Sequence, residues 1–123
     1  MILLKNAQEI GKIKVASQWA MEILLYIAGS LKEGMRTIEL EMLCEEKIKA
    51  IGKIQAAFKG YNGYPYCLCI STNEEVVHGM PGERMLKEGD IVGLDFGIRY
   101  DGFYGDAALT RSIGKTTTKA ENL

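Results

Sequence analysis

Ile91-Val92-Gly93-Leu94-Asp95-Phe96-Gly97-Ile98-Arg99-Tyr100-Asp101-Gly102-Phe103-Tyr104-Gly105-Asp106-Ala107-Ala108-Leu109-Thr110-Arg111-Ser112 is the stretch on which the fold turns. Two runs rich in β-branched and aromatic residues flank Asp101-Gly102, a strong short-range hairpin signal. The stretch predicts a strand over 91–100, a turn, and an antiparallel partner over 103–112. Pairing Tyr100 with Phe103 sets Gly97 opposite Asp106 and Asp95 opposite Ala108. A turn centred one residue earlier sets the two aspartates directly opposite each other. Either register puts both carboxylates on one face, because side-chain direction alternates with a period of two. A single bulge would break that parity. Both aspartates interrupt apolar surroundings. Close, buried carboxylates share a proton, neutralise one charge or bind a cation. Solvated decoration of an ordinary hairpin gives the same pattern.

Upstream, Asn6 with Glu9 three residues later forms a capping box. Apolar positions Ile10, Ile13, Val15, Ala16, Trp19, Ala20, Ile23, Leu24 and Ala28 recur at steps of mostly three and four, predicting an amphipathic helix over about 7–31. A second helix is expected from Arg36 or Thr37 to just before Gly52. Its apolar side is read as Ile38, Met42 and Ile48, with Leu43 or Cys44, and Glu45 pairs with Lys49 at i,i+4. Asn62-Gly63 marks a turn in a Gly- and Tyr-rich loop. A strand over 66–71 and a short segment over Glu75–His78 follow. Two helices followed by hairpin-linked strands imply an α+β fold, with helices packed on an antiparallel sheet. Residues 1–123 make a single domain, with a tail from about 115 that has little to bury.

The chain carries 47% hydrophobic and 25% charged residues and a formal net charge of -1. Those values set disorder aside, and the charge balance argues against a dedicated nucleic-acid binder, although net charge leaves a local basic patch open. No apolar run is long enough to span a membrane, and residues 1–15 do not form a secretory signal. Cys44, Cys67 and Cys69 are too few and too oddly numbered for a disulfide framework. On one strand, Cys67 and Cys69 share a face at roughly 6–7 Å between Cα atoms, too far to favour a bridge. A reducing, cytoplasmic setting follows.

His78 is the single histidine. It reads as a satisfied interior residue or as a group reaching into a cleft to donate a hydrogen bond or shuttle a proton. Tyr61, Tyr64, Tyr66, Cys67 and Cys69 either pack the glycine loop on the sheet or line an apolar pocket. A nucleophilic thiol would need His78 and a third member that is not identifiable. The glycines match neither a P-loop nor a dinucleotide fingerprint.

The runs Gly60-Tyr61-Asn62-Gly63-Tyr64-Pro65 through Cys69-Ile70-Ser71 to His78-Gly79-Met80-Pro81, then Gly89-Asp90-Ile91-Val92-Gly93-Leu94-Asp95-Phe96-Gly97 and Asp101-Gly102-Phe103-Tyr104-Gly105-Asp106, resemble the bacterial type I methionine aminopeptidases. The likeness extends over nearly the whole chain. It implies half of a pita-bread fold and removal of the N-terminal methionine from nascent polypeptides. It implies two divalent ions (cobalt, manganese, iron or zinc), with Asp95 chelating one and Asp106 bridging both. His78 would contact substrate and help stabilise the tetrahedral intermediate. Tyr61, Tyr64 and Cys69 would line the methionine pocket. Phe58 stands where many relatives have cysteine and would reshape the pocket edge. Paired ions lower the pKa of a bound water and hold it for attack.

Enzymes of that family run to roughly twice this length, and their second half brings a further histidine and two glutamates. This chain has no second histidine. It is therefore expected to supply part of an active site, as a fragment or a split subunit. Its partner would be the missing C-terminal half, or a second copy met through an exposed apolar face. A catalytically inactive half-fold serving as a protein-interaction module is the alternative. A proline-specific peptidase of related fold fits the 60–81 stretch less closely.

Overall fold

The computed structural model describes residues 6–73 and 79–114; Glu75–His78 and the tail from 115 lie outside the described residues. Helix α1 spans Ala7–Ser30 and α2 spans Thr37–Ile51. The strands are β1 (Gln55–Ala56), β2 (Leu68–Thr72), β3 (Ile91–Tyr100) and β4 (Phe103–Ser112), with a 3-10 turn at Tyr61–Gly63. The architecture is mixed α+β, with helices packed on an open antiparallel sheet.

The capping box forms as the sequence suggests. The Asn6 side chain accepts from Glu9 N at 2.8 Å, and Asn6 N donates to the Glu9 carboxylate at 3.1 Å. Helix α1 buries Ala16, Ala20, Ile23, Leu24 and Ile27. Helix α2 ends at Gly52, whose φ of 80° places it in the left-handed region that glycine adopts without strain. Its buried stripe is Thr37, Leu40, Glu41 and Cys44, while Met42 is exposed. The expected stripe through Ile38 and Met42 is thus rotated. The cause lies far along the chain. Gly82 O accepts from Ile38 N at 2.9 Å, Gly82 N donates to Thr37 Oγ1 at 2.7 Å, and Thr37 N donates to Arg84 O at 3.0 Å. These bonds fix the helix N-terminus from the 79–89 connection. Glu45 pairs with Lys59 at 2.7 Å, not with Lys49 as its spacing suggested.

Strand β3 is the centre of the sheet. Strand β4 pairs along its whole length on one edge; β2 and then β1 share the other. Asp101 (φ 49°) and Gly102 (φ 83°) form the two-residue turn, and both positive φ values match a type I′ hairpin. Tyr100 pairs with Phe103, so Gly97 opposes Asp106 and Asp95 opposes Ala108. No bulge intervenes, and the aspartates are diagonal neighbours on one face.

The two faces differ. Val92, Leu94, Phe96 and Ile98 of β3, with Leu68 and Ile70 of β2, enter the core beneath the helices. Helix α1 lies across β3 and β4. The opposite face carries Cys69, Ser71, Gly93, Asp95, Asp106, Ala108 and Thr110, which no helix covers among the described residues. Half of the sheet's side chains thus stand ready for a site or a partner.

Candidate functional site

The uncovered face is arranged in cross-strand rows. Cys69, Asp95 and Ala108 are paired across β2, β3 and β4; Ser71, Gly93 and Thr110 form the next row. Glycine and alanine at alternate positions leave space above the sheet. An open cleft of about 890 Å³ fills that space. Its walls include Phe58, Tyr61, Tyr64, Cys69, Met80 and Asp95. The four residues expected around a pocket, Phe58, Tyr61, Tyr64 and Cys69, therefore face one cavity.

Each wall has a local reason. Gly97 admits the Phe58 ring: a Cβ there would lie 3.0 Å from Phe58 Cε1 and 3.1 Å from Ala57 Cβ. Ala57 N donates to Gly97 O at 2.9 Å, so the Ala-Phe segment is tied to β3. The Tyr64 hydroxyl donates to Leu68 O at 2.8 Å, and its ring meets Tyr66 edge-on at 6.0 Å. Burial, then contact with Cys69, holds the Tyr64 phenol protonated well above its usual range. Burial likewise pushes the Cys69 thiol up, reinforced by the Asp95 charge. Cys69 is therefore a neutral wall of the cleft, not an activated nucleophile. Tyr66 and Cys67 are not among the cleft's walls. Met80 is a wall that no local pattern singles out; Gly79 O accepts from Ile70 N at 2.8 Å, which brings that segment against β2.

Asp95 opens onto the cleft, and Asp106 stands one diagonal step away. Burial raises the Asp95 pKa, and the nearby Asp106 charge raises it further. Two carboxylates whose joint ionisation is disfavoured suit a hard or borderline divalent cation. Two donors do not complete a coordination shell. The pair fits part of a metal centre. His78 lies outside the described residues.

A second polar cluster sits between α2 and the start of β2. Donor atoms of Glu41, Glu45 and Cys67 all lie within 4.8 Å of one another, a grouping able to hold a metal ion. Glu41 is only 2% exposed. Its carboxylate accepts from Cys67 N at 2.9 and 3.1 Å and from Leu68 N at 3.0 Å. Burial pushes the Glu41 pKa up, while those backbone bonds pull it down; burial prevails. Glu41 is absent from the stripe expected on apolar spacing, because an acidic side chain does not register in a hydrophobic pattern. Its position one helical turn before Cys44, on the buried stripe, was the available signal. Glu41→Leu is expected to cost about 2–4 kcal/mol, since two buried N–H groups each lose an acceptor at roughly 1–3 kcal/mol and removal of a buried carboxylate returns part of it. Urea denaturation measures the loss; an unchanged midpoint would show that Glu41 does not hold β2.

Known proteins share this fold. Residues 11–123 match the model of metallopeptidase family M24. The methionine aminopeptidase of Aquifex aeolicus is 43% identical over 129 residues, covering 99% of this chain and 50% of the relative. That of Escherichia coli is 40% identical, covering 99% and 47%. The crystal structure of methionine aminopeptidase from Thermotoga maritima superposes with a TM-score of 0.89 at 41% identity, covering 98% of this chain and 48% of that one. A prolidase from Pyrococcus furiosus, 24% identical with a TM-score of 0.79, shares the fold. The chain spans about half the length of the curated relatives it matches. Its helices and open sheet correspond to part of the pita-bread fold, and the chain belongs to metallopeptidase family M24.

Proposed function

We propose that the chain supplies the N-terminal half of a metal-dependent methionine aminopeptidase, which removes the initiator methionine from nascent polypeptides in the cytoplasm. The juxtaposition of Asp95 and Asp106 beside the Phe58–Tyr61–Tyr64–Cys69 cleft carries this reading. Asp95 and Asp106 would hold divalent ions, cobalt, manganese, iron or zinc, which supply an activated water when bound. The cleft walls would take the methionine side chain: aromatic rings and a neutral thiol suit an unbranched thioether. His78 would contact the scissile peptide. The remaining ligands would come from the C-terminal half, seated on the uncovered sheet face.

Three further features of the chain accompany this reading. No helix among the described residues is long and apolar enough to cross a membrane. All three cysteines are free. Tyr61, Met80 and Tyr104 are exposed large residues, and Tyr104 shares the face of Asp106. Mixing the chain with the complementary half of a methionine aminopeptidase, in the presence of manganese, is expected to release methionine from Met-initiated peptides. Sedimentation velocity should show the pair or, without the complement, self-association. A mixture that forms a stable pair yet releases no methionine would favour the interaction-module reading.

A further inference from the structure

We infer that Cys44 and Cys67 are the two ends of a disulfide site that locks α2 to the entry of β2, closed by a low-molecular-weight disulfide such as oxidised glutathione. On spacing alone, Cys67 and Cys69 would share one strand face. The structure separates them. Cys67 precedes β2, is 3% exposed, and turns toward α2, whereas Cys69 lines the cleft. Cys44 is fully buried and lies on the same helical stripe as Glu41, one turn later. Glu41 clamps the backbone of Cys67 from that stripe, and Cys67 Sγ lies within 4.8 Å of carboxylate oxygens of Glu41 and Glu45, which bracket Cys44 on the helix. A helix residue and a strand-entry residue are thus held close by an independent anchor. A bridge between elements already in register needs little backbone movement.

The roles of the two thiols follow from their surroundings. Cys67 is the more accessible and sits beside the carboxylates of Glu41 and Glu45, with Glu45 reaching solvent and paired to Lys59. Contact with Cys67, then burial, keeps the Cys44 thiol protonated far above its usual range. Cys67, which keeps a trace of exposure beside the solvent-reaching Glu45, is the entry thiol, and the fully buried Cys44 is the resolving one. The Cys67 thiolate attacks one sulfur of the small disulfide; a Cys67–S bond forms, the S–S bond breaks, and one small thiolate leaves with the Cys67 proton. Cys44 then displaces the second small thiol from the mixed disulfide and yields its proton to it. The protein loses two electrons and two protons; the small disulfide gains both and becomes two thiols. Burial of the pair makes entry depend on local opening between α2 and the 64–67 segment.

Closure links two elements that the clamp at Glu41 otherwise joins non-covalently, and so fixes the strand that carries Cys69 into the cleft. It leaves Asp95 and Asp106 untouched, so the inference stands or falls apart from the proposed peptidase activity. The 123-residue chain, incubated with oxidised glutathione, digested without reduction and analysed by mass spectrometry, should yield a peptide joining Cys44 to Cys67. The intact protein should lose the mass of two hydrogens, and Cys69 should carry glutathione or remain free. Reduction by dithiothreitol should reverse the bridge, and the oxidised chain should melt at a higher temperature than the reduced one. Cys69→Ser should leave bridging intact, while Cys44→Ser should stop the reaction at the Cys67 mixed disulfide. Recovery of Cys44 and Cys67 as free thiols while Cys69 is modified, or a Cys67–Cys69 bridge instead, would overturn the inference. Those wild-type measurements decide it even if a serine variant fails to fold.

Discussion

Gly105→Ala should destabilise the chain by about 3 kcal/mol, at the upper end of the usual cost of forcing atoms into a filled interior. Helix α1 crosses β4 at this residue. A Cβ built on Gly105 would lie 2.3 Å from Ser17 N, 2.6 Å from Ala16 C and 2.6 Å from Ser17 Oγ. Two of those three atoms are backbone, so no rotamer change relieves the overlap. The helix must lift from the sheet or β4 must bend. Either movement disturbs Ala16, Ala20 and the β3 residues packed beneath them. Out of the roughly 5–15 kcal/mol typical of a domain, such a loss is large. Gly11→Ala and Gly29→Ala provide the contrast. Both glycines lie within α1 with nothing within 4 Å of the added Cβ, and alanine there should stabilise by about 0.5–1 kcal/mol. Chemical denaturation of the three variants tests the point. A Gly105→Ala midpoint equal to that of Gly11→Ala would mean that α1 does not rest on β4 as described.

The same residue shows what kind of information a sequence carries. The hairpin was legible because its determinants are local: Asp101-Gly102 fixes the turn, the turn fixes the register, and alternation fixes the face of Asp95 and Asp106. The start of α1 was legible for the same reason, since Asn6 and Glu9 cap within one turn. Gly105 read as one glycine among many, because its partner is a helix backbone almost ninety positions earlier. Glu41 was hidden likewise: its partners are the N–H groups of Cys67 and Leu68, and only burial distinguishes it from Glu45 and Glu46. The orientation of α2 depends on Gly82 and Arg84, so periodicity alone placed Met42 on the wrong side. For the site, resemblance selected Tyr61, Tyr64 and Cys69, but Met80 enters the cleft only because Gly79 docks on Ile70.

Asp95→Asn should stabilise the isolated chain while abolishing any function that needs the cation. In the folded chain, burial and then the Asp106 charge raise the Asp95 pKa above its ordinary value. The native state therefore holds the Asp95 proton to a higher pH than the unfolded chain does. Stability falls as pH rises between the unfolded value, about 3.9, and the raised folded value. Below that window Asp95 is neutral in both states and the substitution gains nothing. Above it, the wild-type chain bears a disfavoured charge that asparagine lacks, while the amide oxygen can still accept from Phe96 N. Because the carboxylate is partly solvated, the gain near neutral pH should stay below about 1 kcal/mol. A divalent ion should reverse the order. Manganese bound by Asp95 and Asp106 stabilises only the chain that can hold it, so its addition should raise the melting temperature of the wild type and not of Asp95→Asn. With the complementary half present, methionine release should fall by about 100-fold or more in Asp95→Asn and in Asp106→Asn, since even residues that merely support a metal ligand cost 10–100-fold when changed. Paired thermal melts at about pH 3 and pH 7, with and without manganese, follow the first three outcomes. A variant less stable than wild type near neutral pH without metal would show that the two carboxylates do not oppose each other. Equal methionine release by the variants and the wild type would remove Asp95 and Asp106 from the metal centre.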